Sequence, residues 1–160
     1  MPTNAKTNAS SAYENGLLDD INRRLLTELH ADARLTMAEL GRRVNLSAPA
    51  VAERVQRLER AGVITGYRAQ LDPKALGYPI RAQVRVRPES RQLHKIPETA
   101  KDIPEVVECQ RITGDDCFVL DLHLRSMDDL EAILDRLVVY GRTTTSIVHS
   151  SPIADRPLPL

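Results

Sequence analysis

Apolar residues recur along this chain at two different spacings, and the change from one to the other divides it. From Asp19 or Asp20 to about Ala31, Ile21, Leu25 and Leu29 fall four apart, with Leu18 just ahead. This predicts an amphipathic helix with an acidic N-terminal end. Met37, Leu40 and Val44 predict a second, short helix from about Thr36 to Val44. Asn45 and Leu46 turn the chain. Ser47 is placed to cap a third helix, and Pro49 sits in its first turn, where a missing N–H costs little. Val51, Val55 and Leu58 then point inward, which leaves Ala48, Pro49, Ala50, Arg54, Arg57 and Arg60 largely outward. Gly62 reads as the helix stop, and Val63 to Leu71 as a short strand or ribbon that makes the trihelical head winged.

Turn residues at both ends of the run from Asp72 to Pro79 mark a hinge. Beyond it the period changes to two. Ile80, Ala82, Val84 and Val86 alternate with Arg81, Gln83, Arg85 and Arg87, a half-buried strand ended by Pro88. A loose helix follows, from about Arg91 to Lys101. A strand from about Val106 to Thr113 then turns at Gly114-Asp115 into another, on which Phe118, Leu120, Leu122 and Leu124 share one face. Ser126 with Asp129 three residues on resembles a capping box, before a helical stripe of Leu130, Ile133, Leu134 and Leu137 that Gly141 ends. Thr143 to about Ser150 is the last strand, before a proline-rich tail.

The order βαββαβ implies a four-stranded antiparallel sheet with two helices on one face. The expected fold is therefore α+β. A tail (1–16) leads into a winged helix-turn-helix head (17–71), a hinge (72–79), a ferredoxin-like domain (80–151) and a second tail (152–160). The uncovered sheet face invites a second copy, so a homodimer is expected.

Composition changes the picture in two respects. The absence of Trp makes the cores aliphatic, and a net charge of zero argues, by itself, against nucleic acid as a partner. The distribution argues the other way: between Leu40 and Gln70 there are six basic residues against two acidic ones, on the helix-turn-helix. No apolar run approaches the ~18 residues of a membrane helix, and the N-terminus lacks the apolar core of a signal peptide, so a cytoplasmic, nucleoid-associated protein is expected.

A helix entering the major groove needs small side chains where it approaches base edges, and guanidinium groups that fork onto guanine or phosphate. Ser47, Ala48, Pro49, Ala50 and Arg54 are expected to approach bases, and Arg57, Arg60 and Arg68 phosphates, of double-stranded DNA. The competing reading is a solvated helix face whose arginines pair with Glu53 and Glu59. No constellation for catalysis, metal or cofactor binding is found: His94, His123 and His149 lie on separate elements, and two cysteines make neither a metal site nor a disulfide framework. If the hairpin turns at Gly114-Asp115, Cys109 faces Leu120 and Cys117 faces Ile112, so the thiols do not meet; exposure of Cys117 would leave a redox switch between chains open.

The residues together resemble the leucine-responsive regulatory protein/AsnC family of transcription factors. The resemblance rests on Leu18-Asp19-Asp20-Ile21, the Ala31 to Arg34 turn, Leu46-Ser47, Arg54 to Glu59, Gly62 to Tyr67 and Thr113 to Phe118, in order through both domains. It implies a regulator that dimerises through its sheets and often assembles into octamers, with an amino acid bound near the loop after the second sheet strand. Here that loop is Gly114-Asp115-Asp116-Cys117, where family members often carry an aromatic at the position of Asp116 and an acid at that of Cys117. A Gly lets backbone amides approach a ligand carboxylate, and an Asp carboxylate accepts from an ammonium group, so the loop suits an α-amino acid. An ordinary hairpin turn explains the same residues. Thr144 and Thr145 are lesser candidates. Three functions are open: a regulator responding to a small-molecule effector, a global DNA-wrapping protein with no effector, and a sensor whose head contacts a protein.

Overall fold

The computed structural model describes residues 16–154 and 156–159. The expectation for the N-terminal tail therefore lies almost wholly outside the described residues. Residues 16–69 and 156–159 form one compact unit and 70–154 another.

The first unit is three helices: α1 (Asp20–Ala31), α2 (Met37–Val44) and α3 (Ala48–Arg60). Each starts where a side-chain oxygen satisfies an otherwise free backbone N–H. Asp19 caps α1 and Ser47 caps α3, while Thr36 and Glu39 cap α2 reciprocally. Leu25, Leu29, Leu40, Val44, Val51 and Val55 make the core, with Ile21, Met37 and Ile64 packed against it. Ion pairing between Arg43 and Glu28 ties α2 to α1, as does the hydrogen bond from Arg24 to the Arg43 carbonyl.

Gly62 ends α3 as expected. Its φ of +71° lets its N–H reach the Glu59 carbonyl and that of Val63 reach Leu58, both at 2.9 Å. The expected wing strand does not form: Thr65 to Leu71 carries no strand and is exposed. A strand needs a ladder partner, and no strand of the first unit is there to supply one among the described residues.

The second unit is β1 (Ile80–Pro88), α4 (Lys95–Lys101), β2 (Val106–Arg111), β3 (Phe118–Leu124), α5 (Met127–Val138) and β4 (Gly141–Ile147). The strands pair antiparallel in the order β2-β3-β1-β4. The central strands β1 and β3 bury Ala82, Val84, Val86, Phe118, Leu120, Leu122 and Leu124 against α4 and α5. The opposite face carries Arg81, Gln83 and Arg85 beside His123, Asp121 and Val119. It is open but polar, so a second copy would meet charges there and not an apolar patch.

Three boundaries differ from the sequence expectation. Helix α4 begins at Lys95, after a turn in which Arg91 takes φ +75°. Strand β2 ends at Arg111, and the connection to β3 runs from Ile112 to Cys117, closed by a bond from Ile112 N–H to the Cys117 carbonyl at 2.9 Å. Gly141 does not stop α5, which ends at Val138; it opens β4 instead, opposite Pro88. A Cβ there would lie 2.2 Å from the Arg87 carbonyl oxygen, so close strand contact and not helix termination demands glycine.

Candidate nucleic-acid interface and effector loop

The helix-turn-helix is built from local chemistry. The capping box of Thr36 and Glu39 fixes the start of α2, with the Thr36 hydroxyl accepting from the Glu39 N–H at 3.2 Å and Glu39 accepting from the Thr36 N–H at 2.8 Å. The pattern Thr-x-x-Glu is the sequence signal of this box. At the far end Asn45 adopts a left-handed φ of +59°, which Asn tolerates better than most residues. The Leu46 N–H then returns to the Gly41 carbonyl at 2.9 Å. Gly41 has no room for a side chain, since a Cβ would sit 2.5 Å from the Leu46 carbonyl oxygen. That backbone contact sets the tight turn between α2 and α3, and only the folded chain reveals it.

On α3, Ser47 and Pro49 are exposed and Ala48 and Ala50 half-buried, so the N-terminal end is a low, small-residue surface. Ser47 Oγ accepts from the Ala50 N–H at 3.4 Å. Arg57 and Arg60 are exposed, and among the described residues neither pairs with Glu53 or Glu59. Glu59 instead accepts from the Tyr67 hydroxyl at 2.8 Å; partial desolvation of this half-exposed side chain, with the Glu59 carboxylate beside it, pushes the phenol up to about 12. Arg68 is exposed just beyond. Arg42, which the sequence reading did not single out, is exposed in the last turn of α2.

Arg54 departs from the expectation that it approaches bases. It is turned back onto α1, where Nη1 donates to Asp19 Oδ2 at 2.7 Å and to Asn22 Oδ1 at 3.0 Å. A carboxylate on the neighbouring helix outcompetes open solvent for the guanidinium.

In the second unit, Gly114 takes φ +112° and Asp115 is exposed. Asp116 is half-buried with its carboxylate 3.8 Å from Arg85 Nε. Cys117 is half-buried and donates its N–H to the Val86 carbonyl at 3.0 Å. Register separates the two threonines: Thr144 pairs with Arg85 on the open face, whereas Thr145 pairs with Val84 on the helix-covered face. The two side chains therefore do not line the same surface of the sheet. The cysteines sit as expected, with Cys109 opposite Leu120; burial pushes the Cys109 thiol up. A separate cleft of about 770 Å3 lies between α4 and β2, floored by Leu93, Pro97, Ala100, Cys109 and Phe118, and the loop does not line it.

Two basic helices joined by a three-residue turn, ahead of a ferredoxin-like sheet domain, define the class of DNA-binding transcriptional regulators, not enzymes. Residues 18–65 match a family described as winged helix-turn-helix DNA-binding, and residues 81–158 match the Lrp/AsnC ligand binding domain. The chain is 38% identical to the HTH-type transcriptional regulator LrpA of Mycobacterium tuberculosis, over 89% of this chain and 97% of that one. It is 33% identical to LrpC of Bacillus subtilis, over 83% and 92%. The solved structure of B. subtilis LrpC superposes with a TM-score of 0.81 over 86% of this chain and 99% of that one, at 32% identity. An L-Met complex of the transcriptional regulator NMB0573 from Neisseria meningitidis superposes at 0.82 over 89% and 96%, at 25% identity. The chain belongs to the Lrp/AsnC family of transcriptional regulators.

Proposed function

We propose that this chain is a sequence-specific regulator whose DNA binding or assembly responds to a small molecule, an amino acid. The observation that carries the DNA part is the outer surface of α3, where Ser47, Ala48, Pro49 and Ala50 leave room for base edges while Arg57 and Arg60 stand free for phosphates. Arg68 extends the phosphate contacts along the same backbone. The protein acts on DNA in the cytoplasm; no helix among the described residues is long and apolar enough to cross a membrane. No cofactor is needed for this activity.

The effector contacts are Gly114, Asp115, Asp116 and Cys117, joined by Thr144 from the open sheet face. The NMB0573 complex with L-Met supports an amino acid as the class of ligand. A homodimer formed over the open sheet face, and larger rings built from it, would complete the site between chains. One observation favours a second reading, DNA wrapping without an effector: the Asp116 carboxylate already has Arg85 as partner.

Fluorescence anisotropy on DNA from upstream of the chain's own gene, at two salt concentrations with and without each amino acid, tests both. The regulator reading expects tight, salt-dependent binding that one amino acid shifts and that Asp115→Ala makes unresponsive. Arg60→Ala should weaken all duplexes alike and flatten the salt slope by about one. Tight binding that no amino acid moves would favour the wrapping reading.

A further inference from the structure

The trihelical unit contains a polar cluster that neither the DNA-facing surface nor the effector loop uses. Arg54 lies 35 positions from Asp19 and 32 from Asn22 in the chain, and its Nη1 donates to both. Asp19 divides its carboxylate. Oδ1 accepts from the Asn22 N–H at 2.7 Å, capping α1, and Oδ2 accepts from Arg54. Asn22 is 4% exposed; its Nδ2 donates to the Leu17 carbonyl at 2.6 Å while its Oδ1 accepts from Arg54. Arg54 therefore donates both to a buried amide oxygen and to a carboxylate oxygen of the facing helix end. Were its side chain to leave for a guanine, both would lose that partner, and a buried acceptor without a donor is costly. Asp19 would also keep its negative charge, no longer offset by the guanidinium, on the domain that must approach phosphate.

We propose that Arg54 is a positioning residue, which latches the middle of the recognition helix α3 to the capped N-terminus of α1 and so fixes the rotation and height at which Ser47 to Ala50 meet base edges. The apolar seam of Val51, Val55 and Leu58 decides which face of α3 is buried, but aliphatic contacts are non-directional and tolerate small slides. A guanidinium nitrogen held by two oxygens of the facing helix does not. Its own partner has its acidity shifted in the matching direction: the Arg54 hydrogen bond holds the Asp19 carboxyl below the usual carboxylate range, against an opposing effect of burial. The latch rests on α3 being the DNA-facing helix, and its test separates the two ideas.

The test uses the full chain and its variants Asp19→Asn, Arg54→Met and the double variant. Asn retains the helix cap and removes the charge. Anisotropy would be read on a labelled duplex enriched by the wild-type chain from a random pool, and on a shuffled duplex of the same composition. The latch expects each single variant to lower the ratio of specific to shuffled affinity by about tenfold, in line with coupling between contacting residues. The double variant should be no worse than either single one, and the salt slope should not change.

Three results would overturn it. Direct DNA contact by Arg54 expects Arg54→Met to cut the salt slope by about one, and Asp19→Asn, by freeing the arginine, to tighten binding. A merely structural pair expects a lower melting temperature with the specificity ratio of the folded chain intact. A wild-type chain that does not discriminate between the duplexes overturns the DNA reading itself, and is seen before any variant is made. If Arg54→Met fails to fold, Arg54→Lys, which keeps the charge but loses the fork, gives the same split with a smaller loss of specificity.

Discussion

The two units solve the same problem with different materials. The sheet unit buries thirteen residues in one core, from Ala82 to Leu137, and its central strands are hydrogen-bonded on both sides. The helical unit buries six in its main cluster, and holds its helices in place with polar fixtures: Asp19, Thr36 and Ser47 at the caps, Arg43 on Glu28, and Arg54 on Asp19 and Asn22. A small core cannot specify helix placement to a fraction of an ångström by packing alone, whereas directional bonds can. The comparison teaches that the helical unit supplements a small apolar core with directional polar contacts, whereas the sheet unit rests on apolar bulk.

The largest test of that contrast removes a fully buried leucine from each unit. Leu122→Ala and Leu40→Ala should each cost about 2–5 kcal/mol in the unit affected. The same loss is a larger share of the smaller core, so hydrogen exchange should show α1 to α3 of Leu40→Ala opening together while β1 and β3 of Leu122→Ala keep part of their protection. Equal loss in both would dissolve the distinction.

Glycine substitutions come next, at about 1–3 kcal/mol, because a Cβ at Gly41 or Gly141 must displace backbone. Gly41→Ala pushes on the Leu46 carbonyl and should lower DNA affinity as well as stability, whereas Gly141→Ala pushes on the Arg87 carbonyl and should lower stability alone. Thermal melts paired with DNA titrations read the difference. If Gly41→Ala binds DNA as wild type does, the turn is not what places α3.

The smallest effect is acid sensitivity. The Asp19 carboxyl is depressed in the fold, so its contribution is present above the ordinary carboxylate value of about 4 and is lost as pH falls through the folded value. The pair is partly exposed, so solvent screening keeps this below about 1 kcal/mol. Asp19→Asn should flatten the decline of helical-unit stability below pH ~4, followed by circular dichroism; an unchanged decline would assign it to other carboxylates.

Local codes were readable residue by residue. Ser47 before Ala48-Pro49, Ser126 before Asp129 and Gly62 after Arg60 each occupy the role their type suggests, because caps and stops act within one helical turn. The alternation of Ile80 to Arg87 was equally plain, whereas the strand order β2-β3-β1-β4 depends on long-range pairing. The effector loop was legible only as a loop: Gly114 and Asp115 are open, yet the pairing of Asp116 with Arg85 joins residues far apart in the chain and leaves no local trace.

The sequence by itself determined where helices and strands lie and which of their faces are apolar, since periodicity and caps depend on neighbours a few positions away. Only the tertiary structure decided that Gly141 opens a strand, that the segment after α3 has no ladder partner, that the Asp116 carboxylate meets Arg85, and that Arg54 turns to Asp19. The reason is common to all four. Each depends on what another part of the chain presents at close range, and a long charged side chain or a flat backbone takes whichever partner folding brings to it.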